Sequence, residues 1–232
     1  MKNKLQVLKK ILIRLIIIFF ASTIFFVVLY RFVPPPVTPL MIIRVAQQIK
    51  DGKKIRLYKD WKSLKNISPN LVQAVTASED NKFTEHYGFD FDAIEKAQQF
   101  NEKKKGKKVM GASTISQQTA KNVFLWPGRS WIRKGIEVYF TVLIEMVWGK
   151  ERIMEVYLNV IETGDGVYGA EAASQEYYHK HAKNLSQAQS AMIAAILPDP
   201  RKRNPDHPSA YLMMRQSQIL WVMNRIEKVE FK

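Results

Sequence analysis

Residues 71–88 read LVQAVTASEDNKFTEHYG, a stretch in which an apolar helix pattern leads directly into a cluster of ionisable side chains. Ser68 and Pro69 precede it as an N-cap and a first-turn proline, which predicts a helix start. Apolar residues recur at three- and four-residue spacing, so Glu79 continues the apolar face of this helix. A carboxylate partly removed from water accepts a proton more readily, which makes Glu79 a candidate general base. The alternative is that Glu79 ends the helix and pairs with Lys82.

The composition limits the classes of function that the chain can have. Its 232 residues and 47% hydrophobic content are enough for one sizeable domain. Cysteine is absent, which excludes disulfides and thiolate chemistry. The 36 Lys and Arg residues outnumber the 21 Asp and Glu residues, for a formal net charge of +15. Such a charge favours a polyanionic partner, which could be nucleic acid, an anionic membrane surface or a phosphorylated substrate.

An N-terminal apolar segment narrows this choice. Residues 15–30, LIIIFFASTIFFVVLY, contain no charge, and the apolar run over 11–33 is long enough to cross a bilayer as a helix. Basic residues precede it, so we expect the N-terminus in the cytoplasm and the remainder outside. The alternative, a cleaved signal peptide, would have a shorter apolar region and a small-residue cleavage site. A domain outside the cytoplasm argues against nucleic acid as a partner.

The remaining pattern predicts one mainly α-helical domain. We divide the chain into a basic cytoplasmic tail (1–10), a transmembrane anchor helix (11–33), a proline-rich spacer (34–39) and a globular domain (40–232). Helical periodicity dominates the domain, and residues 55–58 could form a short strand. The lysine-rich residues 103–108 predict either a loop near the lipid surface or a solvated charged loop.

Two further segments carry candidate binding residues. If residues 111–122, GASTISQQTAKN, are helical after Gly111, they place hydroxyl, carboxamide and lysine side chains in two parallel rows: Ser113, Gln117 and Lys121, and Thr114, Gln118 and Asn122. Such rows suit a sugar or phosphate ligand, although a solvated helix face would look similar. In residues 130–160, Arg133 and Lys134 accompany Glu137, either as a salt bridge along a helix or as a site for pyrophosphate or a bridging metal ion.

Together these segments resemble the peptidoglycan glycosyltransferases, or transglycosylases, which polymerise lipid II into glycan strands. The family pattern ED-x-x-F-x-x-H-x-G is matched by Glu79, Asp80, Phe83, His86 and Gly88. The pattern G-x-S-T-I-T-Q-Q-x-x-K-N is matched from Gly111 to Asn122, except that Ser116 replaces the usual threonine. The pattern R-K-x-x-E is matched by Arg133, Lys134 and Glu137, and K-x-x-I-x-E-x-Y-L-N by Lys150, Ile153, Glu155, Tyr157, Leu158 and Asn159.

The resemblance implies a fold and a set of roles. The fold would be a lysozyme-like, two-lobed α-helical domain with the substrate groove between the lobes. Glu79 would be the base, and Glu137 a second catalytic glutamate that either helps to hold a divalent cation on the substrate pyrophosphate or orients the basic residues. Substrate would contact Asp80, Phe83, Ser113, Thr114, Gln117, Gln118, Lys121, Asn122, Arg129, Arg133 and Lys134. His86, Gly88, Glu155, Tyr157 and Asn159 would be structural.

The resemblance also implies partners and a location. The substrates would be lipid II and the growing glycan chain, with Mg²⁺ or Mn²⁺ and no organic cofactor. The protein would lie in the bacterial inner membrane with its catalytic domain in the periplasm, in contact with membrane lipids and with division or elongation proteins. Because the chain stops at Lys232, we expect a monofunctional enzyme without a transpeptidase domain. The alternatives are a lysozyme-like glycan-cleaving enzyme and a catalytically silent membrane scaffold.

Overall fold

The computed structural model describes residues 2–104, 110–128 and 130–231. Within these ranges the chain is mainly α-helical, as predicted. The helices are α1 Lys2–Phe32, α2 Pro39–Lys50, α3 Pro69–Glu79, α4 Phe91–Lys103, α5 Ile115–Phe124, α6 Trp131–Val147, α7 Gly149–Val160, α8 Ala170–Tyr178, α9 Gln187–Ile196 and α10 Ala210–Met223. The strands are β1 Tyr58–Lys59, β2 Glu162–Gly164 and β3 Val167–Tyr168. Arg129 and most of the predicted lysine-rich loop lie outside the described residues.

Helix α3 begins where its sequence predicts. The Ser68 hydroxyl accepts a hydrogen bond from the Asn70 amide at 3.3 Å, and Pro69 occupies the first helical position. The helix then ends at Glu79, because Asp80 adopts an extended backbone with φ −165°. Glu79 is therefore the last residue of the helix, as the alternative interpretation had it, but Lys82 pairs with Asp92 at 2.7 Å rather than with Glu79.

Helix α5 begins later than its sequence predicts. Thr114 forms a capping box, in which its hydroxyl accepts from the Gln117 amide at 3.2 Å and its own amide donates to Gln117 Oε1 at 3.0 Å. This reciprocal cap starts the helix at Ile115. The prediction of a helix directly after Gly111 is wrong, and Ser113 lies before the helix rather than in a row with Lys121.

The strands form one small sheet in the order β1-β3-β2. Strand β1 runs parallel to β3, and β2 runs antiparallel to it. The predicted strand at 55–58 overlaps β1 only at Tyr58. Strands β2 and β3 follow α7 directly in the chain, so the sheet lies at the end of that helix.

Two groups of helices share one hydrophobic core. Helix α3 packs against α9 and α10, and α5 packs against α6 and α7. The core includes fully buried side chains from both groups, among them Leu71, Ile115, Ile144, Met154 and Ile193. This packing brings the end of α3 beside the start of α5. Glu79 therefore lies next to the polar segment 111–122.

Helix α1 is long and apolar enough over Gln6–Phe32 to span a bilayer. It also packs on the domain. Tyr139 of α6 is hydrogen-bonded to Thr23 at 2.8 Å, Trp148 Nε1 donates to the Val27 carbonyl at 2.7 Å, and Arg152 Nη2 donates to the Tyr30 carbonyl at 2.8 Å. The spacer therefore does not separate the anchor helix from the domain, because the C-terminal third of α1 contacts α6 and α7 directly.

Candidate active site

Two adjacent carboxylates at the end of α3, Glu79 and Asp80, lie in different surroundings. Glu79 is half-buried, and its Oε1 and Oε2 accept from Ser78 Oγ at 3.2 Å and Gln118 Nε2 at 2.9 Å. Asp80 is buried; its Oδ2 accepts from the Ile115 amide at 3.0 Å, and its Oδ1 lies 2.9 Å from His86 Nε2. Glu79 therefore keeps access to solvent, while Asp80 fastens the start of α5 to the end of α3.

The start of α5 and the turn that follows this helix line a cavity of about 500 Å³. Its wall includes both small polar groups and cations, together with an exposed indole: Ser113, Gln118, Lys121, Asn122, Trp126 and Arg133. Gln118 belongs both to this wall and to the hydrogen-bonding partners of Glu79. The cavity therefore adjoins the candidate base, Glu79, through Gln118.

A larger cavity of about 690 Å³ lies elsewhere, between the loop 81–85 and residues 226–231. None of the predicted substrate-binding residues lines it. Size alone would favour this cavity, but the chemistry favours the smaller one, because its wall contains Gln118, a hydrogen-bonding partner of Glu79, and the cations Lys121 and Arg133.

Helix α6 contributes a buried carboxylate bound by two cations. Glu137 Oε2 lies 2.6 Å from Arg133 Nη1, and its Oε1 lies 2.5 Å from Lys134 Nζ. The side chains of Glu137 and Arg133 are 3% and 11% exposed, whereas that of Lys134 is 39% exposed. The i, i+4 and i, i+3 spacing on one helix brings these groups together.

Lys121 connects the two glutamates electrostatically. Burial lowers the pKa of Lys121, Glu137 and Glu79 act in the opposite direction, and the positive charges of Arg133 and Lys134 lower it further. Among the described residues its ammonium has no hydrogen-bond or salt-bridge partner. A positive charge held this way is available to an anion.

Two donors beside the cavity also lack partners. Arg133 Nε and Asn122 Nδ2 are buried and make no hydrogen bond within the part of the chain that the structure describes. Buried donors without partners are costly, so such groups usually indicate a ligand or ordered water. A ligand with many acceptor oxygens, such as a diphosphate or a sugar, would satisfy both.

Comparison with known proteins decides the family. The family model described as Transglycosylase matches residues 46–224.

The chain belongs to the transglycosylase family.

Three similar relatives are each named biosynthetic peptidoglycan transglycosylase. The Bdellovibrio bacteriovorus protein is 56% identical over 220 residues, covering 95% of this chain and 87% of the relative. The Bacteroides thetaiotaomicron protein is 59% identical over 214 residues, covering 92% and 86%. The Caulobacter vibrioides protein is 53% identical over 214 residues, covering 92% and 90%. This transglycosylase thus aligns with its relatives over nearly their whole length.

Several residues predicted to bind substrate have internal roles in this transglycosylase. Phe83 is fully buried, lies under the Lys150 ammonium and reaches no surface, so the structure assigns it to packing. Thr114 and Gln117 are buried and use their polar groups in the capping box of α5. Asp80 is occupied by His86 and the α5 amide. The predicted substrate contact is therefore corrected for Asp80, Phe83 and Thr114, because their polar atoms or surfaces are already used. For Gln117 it stays a prediction, because only its side-chain oxygen enters the capping box.

The remaining predicted binding residues stay candidates. Ser113, Gln118, Lys121, Asn122 and Arg133 line the cavity. Lys134 is close to them through Glu137, and Arg129 lies outside the described residues.

The predicted structural residues anchor loops. Gly88 has φ +88°, and its carbonyl accepts from the Thr114 hydroxyl at 2.7 Å. Glu155 accepts from the Leu64 amide at 2.8 Å, and the Asn159 carboxamide is hydrogen-bonded to both backbone groups of Lys62 at 2.8 Å. These contacts hold the segments before α3 and α5.

Two groups near the site were absent from the sequence predictions. Arg215 of α10 donates to the Ser78 carbonyl and hydroxyl, both at 3.3 Å, next to the base. Arg44 of α2 and Glu162 form a bidentate pair on the cavity wall, with distances of 3.0 and 3.1 Å. Neither arginine belongs to a motif, so only the folded arrangement reveals them.

These residues do not form a metal site that the protein could make on its own. Within the described ranges, no group of three or more His, Asp or Glu side chains could hold one. Glu137, the predicted ligand, has each oxygen paired with a cation. In this transglycosylase Glu137 is therefore suited to orienting Arg133 and Lys134, the second of the two predicted roles.

Proposed function

We propose that this chain polymerises the glycan strands of peptidoglycan, using lipid II as acceptor and the lipid-linked growing chain as donor. Its family membership and the printed names of its relatives support this reaction. One observation carries the chemistry: the half-buried Glu79 carboxylate adjoins, through Gln118, a cavity lined by Lys121 and Arg133. A base next to a cationic cavity suits attack on a sugar that leaves a diphosphate behind.

Glu79 is the general base in this proposal. Its carboxylate takes the proton from the GlcNAc 4-hydroxyl of lipid II as that oxygen attacks C1 of the lipid-linked MurNAc. The new C1–O bond forms from the face opposite the departing phosphate, so the anomeric centre inverts from α to β. One base and one displacement are sufficient for inversion, and the proton later passes from Glu79 to solvent.

The basic residues act on the leaving group. When the bond between C1 and the phosphate oxygen breaks, undecaprenyl pyrophosphate leaves with additional negative charge. Lys121 and Arg133 provide positive charge in the cavity wall, where partial burial strengthens their interaction with an anion. The unpartnered Arg133 Nε and Asn122 Nδ2 offer further donors to phosphate or sugar oxygens. Divalent Mg²⁺ or Mn²⁺ stays a proposal in which substrate oxygens supply most of the ligands.

Helix α1 keeps the enzyme near its substrate. Lipid II carries its tail in the bilayer, and α1 is compatible with a single-pass anchor. We place the N-terminus in the cytoplasm and the domain at the outer face of the inner membrane, because Lys and Arg flank the N-terminal side of α1. Division or elongation proteins are proposed partners, as yet without a contact surface.

The experiment uses the full chain purified in detergent with labelled lipid II. Wild type should form glycan strands and release undecaprenyl pyrophosphate, and Glu79→Gln should form none. Glu85→Gln is the matched control. Glu85 is an exposed carboxylate in the loop that follows Glu79, and its side chain does not line the smaller cavity. If wild type cleaves preformed glycan and does not polymerise lipid II, the protein is a hydrolase and the proposal is refuted. If wild type is folded and has neither activity, the result supports a catalytically silent scaffold.

A further inference from the structure

Glu79 is connected to the core by a chain of two hydrogen bonds. Gln118 Nε2 donates to Glu79 Oε2 at 2.9 Å, and the Tyr157 hydroxyl donates to Gln118 Oε1 at 3.2 Å. The chain begins on α7, crosses α5 and reaches the last residue of α3. Three separate helices thus contribute one residue each to the surroundings of the base.

Tyr157 is suited to remain a donor. Its side chain is completely buried, and burial raises its pKa well above the usual value of 10.0, with the negative charges of Glu79 and Asp80 acting in the same direction. The hydroxyl therefore keeps its proton throughout the pH range in which enzymes work. The buried proton of this hydroxyl needs an acceptor, and Gln118 Oε1 is the one that it has among the described residues. An amide group accepts only through its oxygen.

The direction of this hydrogen bond decides which end of Gln118 faces the base. With Oε1 directed to Tyr157, Nε2 points to Glu79 and lies 3.5 Å from the Ser113 carbonyl, a second acceptor. If the amide turned by half a rotation, its oxygen would face a carboxylate oxygen, and two acceptors would oppose each other. The charge of Glu79 opposes this turn, and the Tyr157 hydroxyl opposes it as well, because its buried proton would lose its acceptor.

We propose that Tyr157 is a positioning residue for the reaction: through Gln118 it keeps an N–H donor on Glu79, which aligns the carboxylate for proton abstraction. This inference rests on the proposed function of Glu79 as base. Tyr157 touches neither substrate nor the reacting atoms. Its contribution should therefore appear in turnover rather than in substrate binding.

Tyr157→Phe removes the hydroxyl and preserves the packing of the ring. We expect kcat to fall about tenfold, which is about the size of effect produced by losing one buried hydrogen bond, while KM changes by less than about twofold.

Tyr168→Phe is the matched control. Tyr168 is also fully buried, and among the described residues its hydroxyl has no hydrogen-bond partner. Removing it makes the same chemical change in a place unconnected to Glu79. We expect this variant to keep the wild-type kcat, and a loss of kcat equal to that of Tyr157→Phe would overturn the proposal.

A double variant tests whether Tyr157 acts through Gln118. In a Gln118→Ala background, adding Tyr157→Phe should change kcat by less than about twofold, because the group that it orients is already absent. A further tenfold loss would show a general structural effect and overturn the proposal. Each kcat is expressed per mole of folded enzyme, so the comparison decides the question even if Tyr157→Phe is less stable.

The same assays separate this inference from the function on which it rests. A wild type that does not polymerise lipid II would refute the proposed function. A wild type that polymerises, beside a Tyr157→Phe variant with unchanged kcat, would refute only the role of Tyr157.

Discussion

Replacing Glu137 with glutamine removes the one negative charge that binds Arg133 and Lys134 directly within the described part of the chain. Glu137 is 3% exposed and Arg133 is 11% exposed, so both lie away from water. Glutamine keeps the shape of the side chain and loses the charge. Arg133 then remains buried with no anion, and its repulsion from Lys121 and Lys134 is no longer offset.

The magnitude follows from the burial of each partner. Removing one member of a buried ion pair costs about 3–5 kcal/mol of unfolding free energy. We expect the lower end, about 3 kcal/mol, because Lys134 is 39% exposed and can turn to water. For a domain of this size, each kcal/mol shifts the melting temperature by about 2–4 °C, which gives a fall of about 6–12 °C.

Thermal unfolding in detergent measures this effect. Asp92→Asn is the control, since it breaks the exposed Lys82–Asp92 pair and should leave the melting temperature unchanged. Inorganic pyrophosphate should raise the melting temperature of Glu137→Gln more than that of wild type, because it replaces the missing negative charge. A Glu137→Gln variant that melts with wild type would contradict the buried arrangement.

The remaining predictions concern Lys121 and Arg215. Because the pKa of Lys121 is lowered, its ammonium loses its charge below pH 10.5, and kcat/KM should fall as the pH rises through that lowered pKa. Lys121→Arg keeps its charge, so its alkaline limb should lie at higher pH, and superimposable profiles would refute this reasoning. Arg215→Ala frees Ser78 beside the base and should lower kcat about two- to tenfold. Arg225→Ala, which removes an exposed arginine stacked on Trp221, is the control, and an equal loss in both variants would exclude a specific role for Arg215.

The local sequence pattern was sufficient to predict the part of the site that lies on helix α3. Ser68 and Pro69 define the start of α3, and apolar spacing carries that helix to Glu79, as the structure confirms. The start of α5 was harder to predict, because its helical residues and the preceding GAST share the same small polar character. The capping box between Thr114 and Gln117 decides the boundary, and it also engages the Thr114 hydroxyl and Gln117 Oε1.

Contacts between distant residues could not be predicted from spacing. Tyr157 and Gln118 are 39 residues apart, and Arg215 is 137 residues from Ser78. The motifs contain Tyr157 and Gln118 but do not indicate that one orients the other. The packing of α1 on α6 likewise depends on Thr23 meeting Tyr139 across 116 residues, a contact that hydropathy cannot reveal.

The central claim is that Glu79 acts as a base and not as a binding group. The most direct measurement compares wild type and Glu79→Gln for lipid II affinity and for single-turnover polymerisation on the same preparation. The account predicts affinities within about twofold and a rate that falls about 10²–10⁴-fold, the range for loss of a general base. Near-wild-type turnover, or a loss confined to affinity, would contradict it.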